Sequence, residues 1–168
     1  MKATAIFKVV SISLLFLGAN VSAYADSSPM DKEALKGITD VKVVYDVTTG
    51  NAKKLLSRLE LIEETRNSIV EQGGKPHFIL SVRGGASLLV QKNLSLIKPE
   101  DLEAAAKIRD KIATMGKEAG YEVTQCAVAN RFLKIKNEDT IPEVKVVGNG
   151  WISLAAYQNK GYAYIPID

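Results

Sequence analysis

The chain alternates short runs of β-branched and aliphatic residues with longer amphipathic stretches, and Gly, Pro and Asn residues separate them. Such runs are typical of buried strands, and apolar residues at helical spacing are typical of helices packed on one face. Strands are predicted at 41–48, 77–82, 121–126, 144–147 and 162–165. Helices are predicted at 53–72, 99–119 and 151–159, with a short helix and a loop at 131–139 and one more helical turn at 88–91. Strands that alternate with helices predict an α/β fold with one parallel sheet of five strands and helices on both faces.

The first residues have the pattern of a targeting segment. Lys2 and Lys8 flank the start of a short apolar run at 9–17, and Ala23-Tyr24-Ala25 fits a signal-peptidase site. We therefore expect a signal peptide at 1–25 and export to the periplasm. An uncleaved anchor or a buried helix is the alternative, although nine or ten apolar residues are too few to span a bilayer.

The rest of the chain is predicted to be a flexible lead at 26–40 followed by a single domain at 41–168. Removing the two leader lysines from 22 basic residues leaves 20 against 19 acidic ones, a net charge near +1. This balance argues against a nucleic-acid partner, which would require a basic patch. No later stretch approaches the ~20 apolar residues of a stable membrane anchor.

The chain has a single cysteine and a single histidine. An internal disulfide and a Cys/His zinc site within one chain are both excluded. We expect no metal, nucleotide or flavin cofactor.

Cys126 is predicted to lie at the carboxyl end of the third strand. Ligand sites in open α/β sheets gather beyond the carboxyl ends of the strands, and a nearby helix N-terminus favours a reactive thiolate. Asn130 would cap the helical stretch that follows. The alternative is that Cys126 is a small buried hydrophobe without chemistry.

Two further polar groups are expected near the same edge of the sheet. In the loop 83–87, Arg83, Gly84, Gly85 and Ser87 form a candidate anion-binding segment, for which a plain turn is the alternative. Asp46, late in the first strand, either faces the same crevice or caps the next helix, and the cap is favoured.

Four segments together resemble one known family. They are the strand 41–47, the strand end at Cys126, the stretch 142–147 and the tail 158–165 with its Gly-Tyr-Ala-Tyr-Ile sequence. They are similar to the DsrE/DsrF-like family, and the resemblance covers about 38–168. Small residues follow Cys126, as in many sulfur-relay members of that family, but Asn-Arg-Phe at 130–132 stands where those members carry Arg-Gly.

The resemblance implies a three-layer α/β/α sandwich, commonly assembled into trimers or hexamers. It also implies that Cys126 accepts sulfane sulfur as a persulfide, with a donor or acceptor protein or a small sulfur species as partner. Asp46, Asn130 and the 83–87 loop would shape the binding pocket. The sequence is compatible with three functional hypotheses. The protein is a periplasmic sulfur carrier, a non-catalytic oligomeric binding or scaffold protein with a buried Cys126, or a protein that binds a small anion without covalent chemistry.

Overall fold

The structure is a computed structural model that describes residues 29–168. The predicted signal peptide at 1–25 and the first residues of the predicted lead therefore lie outside the described residues. Residues 32–37 form turns, and the backbone N–H of Asp31 donates to Oε1 of Gln72 at 2.7 Å. Within the described range, no helix combines the length and the apolar character that a bilayer crossing requires.

Five strands form one sheet in the order β4-β3-β2-β1-β5. Their bounds are β1 Asp40–Val47, β2 Lys75–Val82, β3 Tyr121–Cys126, β4 Lys145–Val147 and β5 Ala163–Ile167. All four pairings are parallel, so the carboxyl ends of the strands lie along one edge of the sheet. The predicted five-stranded parallel sheet is confirmed.

Four α-helices connect the strands: α1 Ala52–Glu71, α2 Leu102–Met115, α3 Ala127–Leu133 and α4 Gly150–Asn159. Asn51 caps α1, since its side-chain oxygen accepts the backbone N–H of Lys54 at 2.9 Å. The predicted continuation of α2 to residue 119 is wrong. Met115 is the last residue of this stretch that the core buries, and residues 116–119 form turns.

The sheet lies between two helical layers. On one face, α1 and α2 pack against a large core that includes Tyr45, Phe78 and Leu80. On the other face, Leu154 of α4 packs against Val44 and Ile79. The alternation of strand side chains between the two faces explains why both faces carry apolar residues. The molecule is thus an α/β fold with helices on both sides of the sheet.

Three predicted boundaries near the carboxyl edge differ from the structure. The predicted loop after β2 is a 3-10 helix, Gly84–Val90, and α3 begins directly after Cys126 rather than at residue 131. The last strand runs to Ile167, two residues beyond the predicted end, because it follows β1 in register to Val47. Pro166 in that strand lacks an N–H donor, which β5 tolerates because it is an edge strand.

Candidate functional site

Cys126 is the last residue of β3 and the N-cap residue of α3. Its side chain lies on the same sheet face as α4, and the residue is 5% exposed. The backbone N–H of Gly150, the first residue of α4, donates to Sγ of Cys126 at 3.2 Å. The sulfur therefore lies at the N-terminus of a ten-residue helix.

This position places a hydrogen-bond donor at the sulfur. The N-terminus of a helix carries a partial positive charge, and its first N–H groups have no partner within the helix. One of these N–H groups is directed at Sγ of Cys126, and a thiolate is the stronger acceptor for it. The thiolate is also the nucleophilic form of cysteine, so the geometry suits a reactive thiol.

Cys126 lines a cavity of about 570 Å³ that we call the thiol pocket. The pocket lies beyond the carboxyl ends of β2 and β3, where ligand sites of open α/β sheets are found. Its lining comes from the segment after β2, from α3 and from the start of α4: Arg83, Gly84, Gly85, Cys126, Val128, Ala129, Phe132, Leu133, Asn149 and Trp151. The volume suits a small organic molecule.

Arg83 is held at the pocket by Asp46. Nε and Nη2 of Arg83 donate to Oδ1 and Oδ2 of Asp46 at 2.7 and 2.6 Å, and the Tyr164 hydroxyl donates to Oδ2 at 2.7 Å. The hydrogen bond to Asp46 raises the pKa of Arg83 and also that of Tyr164 above their ordinary values. The guanidinium also lies 5.8 Å from the ring centroid of Trp151, within range of a cation–π contact.

Two glycines bring the segment after β2 into place. Gly84 has a φ of +57°, a conformation that side chains with a Cβ rarely adopt. A Cβ on Gly85 would lie 3.0 Å from both Cα and N of Gly50, so a side chain there would require the two backbones to move apart. These contacts give a structural reason for glycine at both positions.

The structure brings together four of the residues predicted for the site. Arg83, Gly84, Gly85 and Cys126 all line the thiol pocket. Ser87 does not, because it lies inside the 3-10 helix with its side chain fully buried. The favoured interpretation of Asp46 as a helix cap is wrong, since Asn51 caps α1 and Asp46 binds Arg83 instead.

Asn130 is not the cap that the sequence predicted. It lies within α3, fully buried, because that helix begins four residues earlier than expected. Its Oδ1 accepts from Nε2 of Gln125 at 2.8 Å, and its Nδ2 donates to Oδ1 of Asn137 at 3.1 Å. These bonds fix α3 against β3 behind the pocket, and Asn130 does not line the cavity.

Sequence reasoning missed the contribution of α4 to this site. Asn149 caps that helix, with its side-chain oxygen accepting the backbone N–H of Trp151 at 3.0 Å, and Gly150 supplies the N–H at the sulfur. The Asn-Gly pair before an apolar run was the available signal, since Asn is favoured at the N-cap. The pocket wall formed by Phe132 had no local signal.

His77 lies at the opposite end of the sheet, where its Nε2 is 2.8 Å from Oδ1 of Asp40. This agrees with its position at the start of the second strand. Among the described residues, no group of three or more His, Cys, Asp or Glu side chains is placed to hold a metal ion.

Comparisons with known proteins found a relative by sequence and a neighbour by structure. No family model matches the chain. An uncharacterized protein of Aquifex aeolicus (strain VF5) is 28% identical over 126 residues, which are 75% of this chain and 56% of that protein. The chain thus spans about half the length of this relative.

A solved structure, that of a protein of unknown function from Methanobacterium thermoautotrophicum, matches 76% of this chain and 99% of its own. Its TM-score is 0.54 and its sequence identity is 16%. At this identity the likeness supports the α/β fold alone.

Proposed function

We propose that the protein is a periplasmic sulfur carrier of the DsrE/DsrF-like kind, in which Cys126 holds sulfane sulfur as a persulfide. The observation that carries the proposal is the Gly150 N–H donating to Sγ of Cys126 at the N-terminus of α4, inside an open pocket. A carrier thiol requires stabilised negative charge, access for a donor and space for the terminal sulfur. The Gly150 N–H at the sulfur and the volume of the pocket beside it support the proposal.

The proposed step is an exchange between sulfur atoms without net oxidation. The Cys126 thiolate attacks the outer sulfur of a persulfide R–S–SH, the donor S–S bond breaks, and a new S–S bond forms. The products are Cys126–S–SH and the thiolate R–S⁻, which takes the electron pair of the broken bond and is then protonated by water. A partner thiolate would later remove the outer sulfur of Cys126 by the same chemistry.

The experiment is incubation of the purified mature protein with a small persulfide, followed by intact mass. We expect the wild-type protein to gain the mass of one sulfur atom, which a reductant removes, and Cys126→Ser to gain nothing. Serine keeps an acceptor for the Gly150 N–H, so this variant is matched in structure. Equal sulfur uptake by Cys126→Ser would overturn the proposal.

A second candidate is an oligomeric binding or scaffold protein without chemistry, and one observation favours it. Phe132 and Trp151, which line the pocket, and Ile152, the residue after Trp151, are large apolar residues that are strongly exposed. Exposed aromatic residues are typical of interfaces between subunits. On this interpretation Cys126→Ala changes stability alone, and sedimentation would give a trimer or hexamer that Phe132→Ser dissociates.

A further inference from the structure

The lining of the thiol pocket has little charge that is not already balanced by an opposite charge of the protein. Among its lining residues, all within the described range, Arg83 carries the only full charge. Two of its nitrogens already donate to Asp46, whose side chain is 3% exposed. An anionic ligand would have to share this guanidinium with a buried carboxylate that repels it.

The rest of the wall is apolar. Val128, Ala129 and Leu133 line it from α3, together with Phe132 at 78% exposed and Trp151 at 69% exposed. The free energy falls when an apolar molecule covers large aromatic surfaces that are in contact with water. The Gly150 N–H is directed at the sulfur rather than at the body of a ligand, and the side-chain oxygen of Asn149 already accepts the Trp151 N–H.

From this arrangement we infer that the pocket selects a sulfane donor with an uncharged, apolar organic body, of the alkyl or aryl persulfide class. The inference rests on the proposed function and narrows its substrate. The organic group packs on Phe132 and Trp151, and the outer sulfur of R–S–SH faces Sγ of Cys126. Cys126–S–SH and R–S⁻ form as in the exchange already described. Donors whose body is itself charged, such as thiosulfate with its sulfonate group, are disfavoured because Arg83 already donates to Asp46.

Binding is tested apart from chemistry with the Cys126→Ser protein and two thiols that mimic the leaving group. Trp151 is the only tryptophan of the chain, so its fluorescence reports pocket occupancy. We expect benzyl mercaptan to change the emission at a concentration at least about tenfold below that of the dianionic mercaptosuccinate. Phe132→Ala should weaken benzyl mercaptan binding by about fivefold, as expected for loss of one aromatic contact.

Leu96→Ala is the matched control, because Leu96 is also strongly exposed, at 65%, and does not line the pocket. It should leave the binding of both thiols unchanged. Equal affinity for the two thiols, or binding that Phe132→Ala does not alter, would overturn the inference.

Transfer is then compared on the wild-type protein with benzyl persulfide and thiosulfate at equal concentration, by intact mass. Faster transfer from benzyl persulfide supports the inference. Equal or faster transfer from thiosulfate would overturn it while leaving a sulfur carrier intact. Transfer from neither donor, with benzyl mercaptan still bound, would instead overturn the carrier function.

Discussion

Asp46 and Arg83 form an ion pair beside the thiol pocket, and its two members differ in their contact with water. The Asp46 side chain is 3% exposed and that of Arg83 is 26% exposed. Apart from Arg83, the hydrogen-bond partner of the carboxylate is the Tyr164 hydroxyl. The buried carboxylate therefore depends on the guanidinium more than the guanidinium depends on the carboxylate.

Replacing Arg83 by Met should lower the free energy of unfolding by about 3 kcal/mol, because a buried carboxylate loses its charged partner. Asp46→Asn in the same chain should recover part of this loss, since no charge is then left buried. Urea denaturation of the two single variants and the double variant measures the coupling. If the losses of unfolding free energy in the two single variants simply add in the double variant, Asp46 does not depend on Arg83 for its stability.

The sequence predicted the Cys126 and Arg83 positions because each follows a recognisable strand, and parallel strands end at one edge. It did not predict the partner of Asp46. Asp46 and Arg83 are separated by 37 residues, and only the pairing of β1 with β2 brings them together. Asn130 was misassigned because the start of α3 gives no N-cap signal: Cys126 occupies that position.

At the scale of elements, α4 has the largest influence on the thiol. Its sequence is apolar on nearly all sides, yet among its residues only Gly150 and Leu154 are buried. Gly150 packs against the cysteine, and a Cβ added there would lie 3.2 Å from Cβ and 3.5 Å from Sγ of Cys126. The lack of a side chain at this position lets the helix N-terminus approach the sulfur.

Gly150→Ala should slow sulfur transfer to Cys126 by about tenfold, because about 1.4 kcal/mol of lost N–H contact in the reacting state corresponds to that factor. Helix propensity alone would make alanine neutral or stabilising, so the melting temperature separates this effect from unfolding. Gly148→Ala is the control, since a Cβ at Gly148 meets nothing within 4 Å. Equal slowing in both variants would contradict the role of α4.

For the whole molecule, an aromatic cluster joins the sheet to the helical layer of α1 and α2. Phe78 is fully buried between Tyr45 and Tyr121, with ring centroids 5.2 and 5.8 Å away in edge-on arrangements. Burial raises the pKa of Tyr45 to about 12 from its ordinary value of 10.0. The core thus contains a group that resists ionisation.

Because the pKa of Tyr45 is higher in the folded state than in the unfolded state, its protonated hydroxyl stabilises the fold fully below pH 10. This contribution to the free energy of unfolding is lost as the pH rises toward 12. The unfolded chain releases the Tyr45 proton first, so we expect Tyr45 to account for about 2 kcal/mol of lost stability near pH 12. Urea denaturation of the wild-type protein and of Tyr45→Phe at pH 8 and pH 11.5 isolates the contribution of Tyr45 to this loss. If the difference in unfolding free energy between the two proteins is the same at both pH values, the expected contribution of Tyr45 is wrong.

The α/β fold could be predicted from the sequence because alternating strands and helices are compatible with few topologies of a parallel sheet. The pocket could be predicted only in part, since its wall comes from side chains of α3 and α4 that meet after the sheet forms. Phe132 is a residue of the pocket that no sequence pattern predicts. It is exposed, and its position at the pocket depends on the contact of α3 with the segment after β2.

Alkylation by iodoacetamide at pH 7 tests whether Cys126 is a reactive thiol that is reached through the pocket. The reaction is followed by intact mass in native protein and in protein unfolded in guanidinium. We expect the native thiol to react faster than the unfolded one, because the Gly150 N–H donates to its sulfur at the N-terminus of α4. Modification of the thiol only after unfolding would show that Cys126 is a buried core residue without a reactive role.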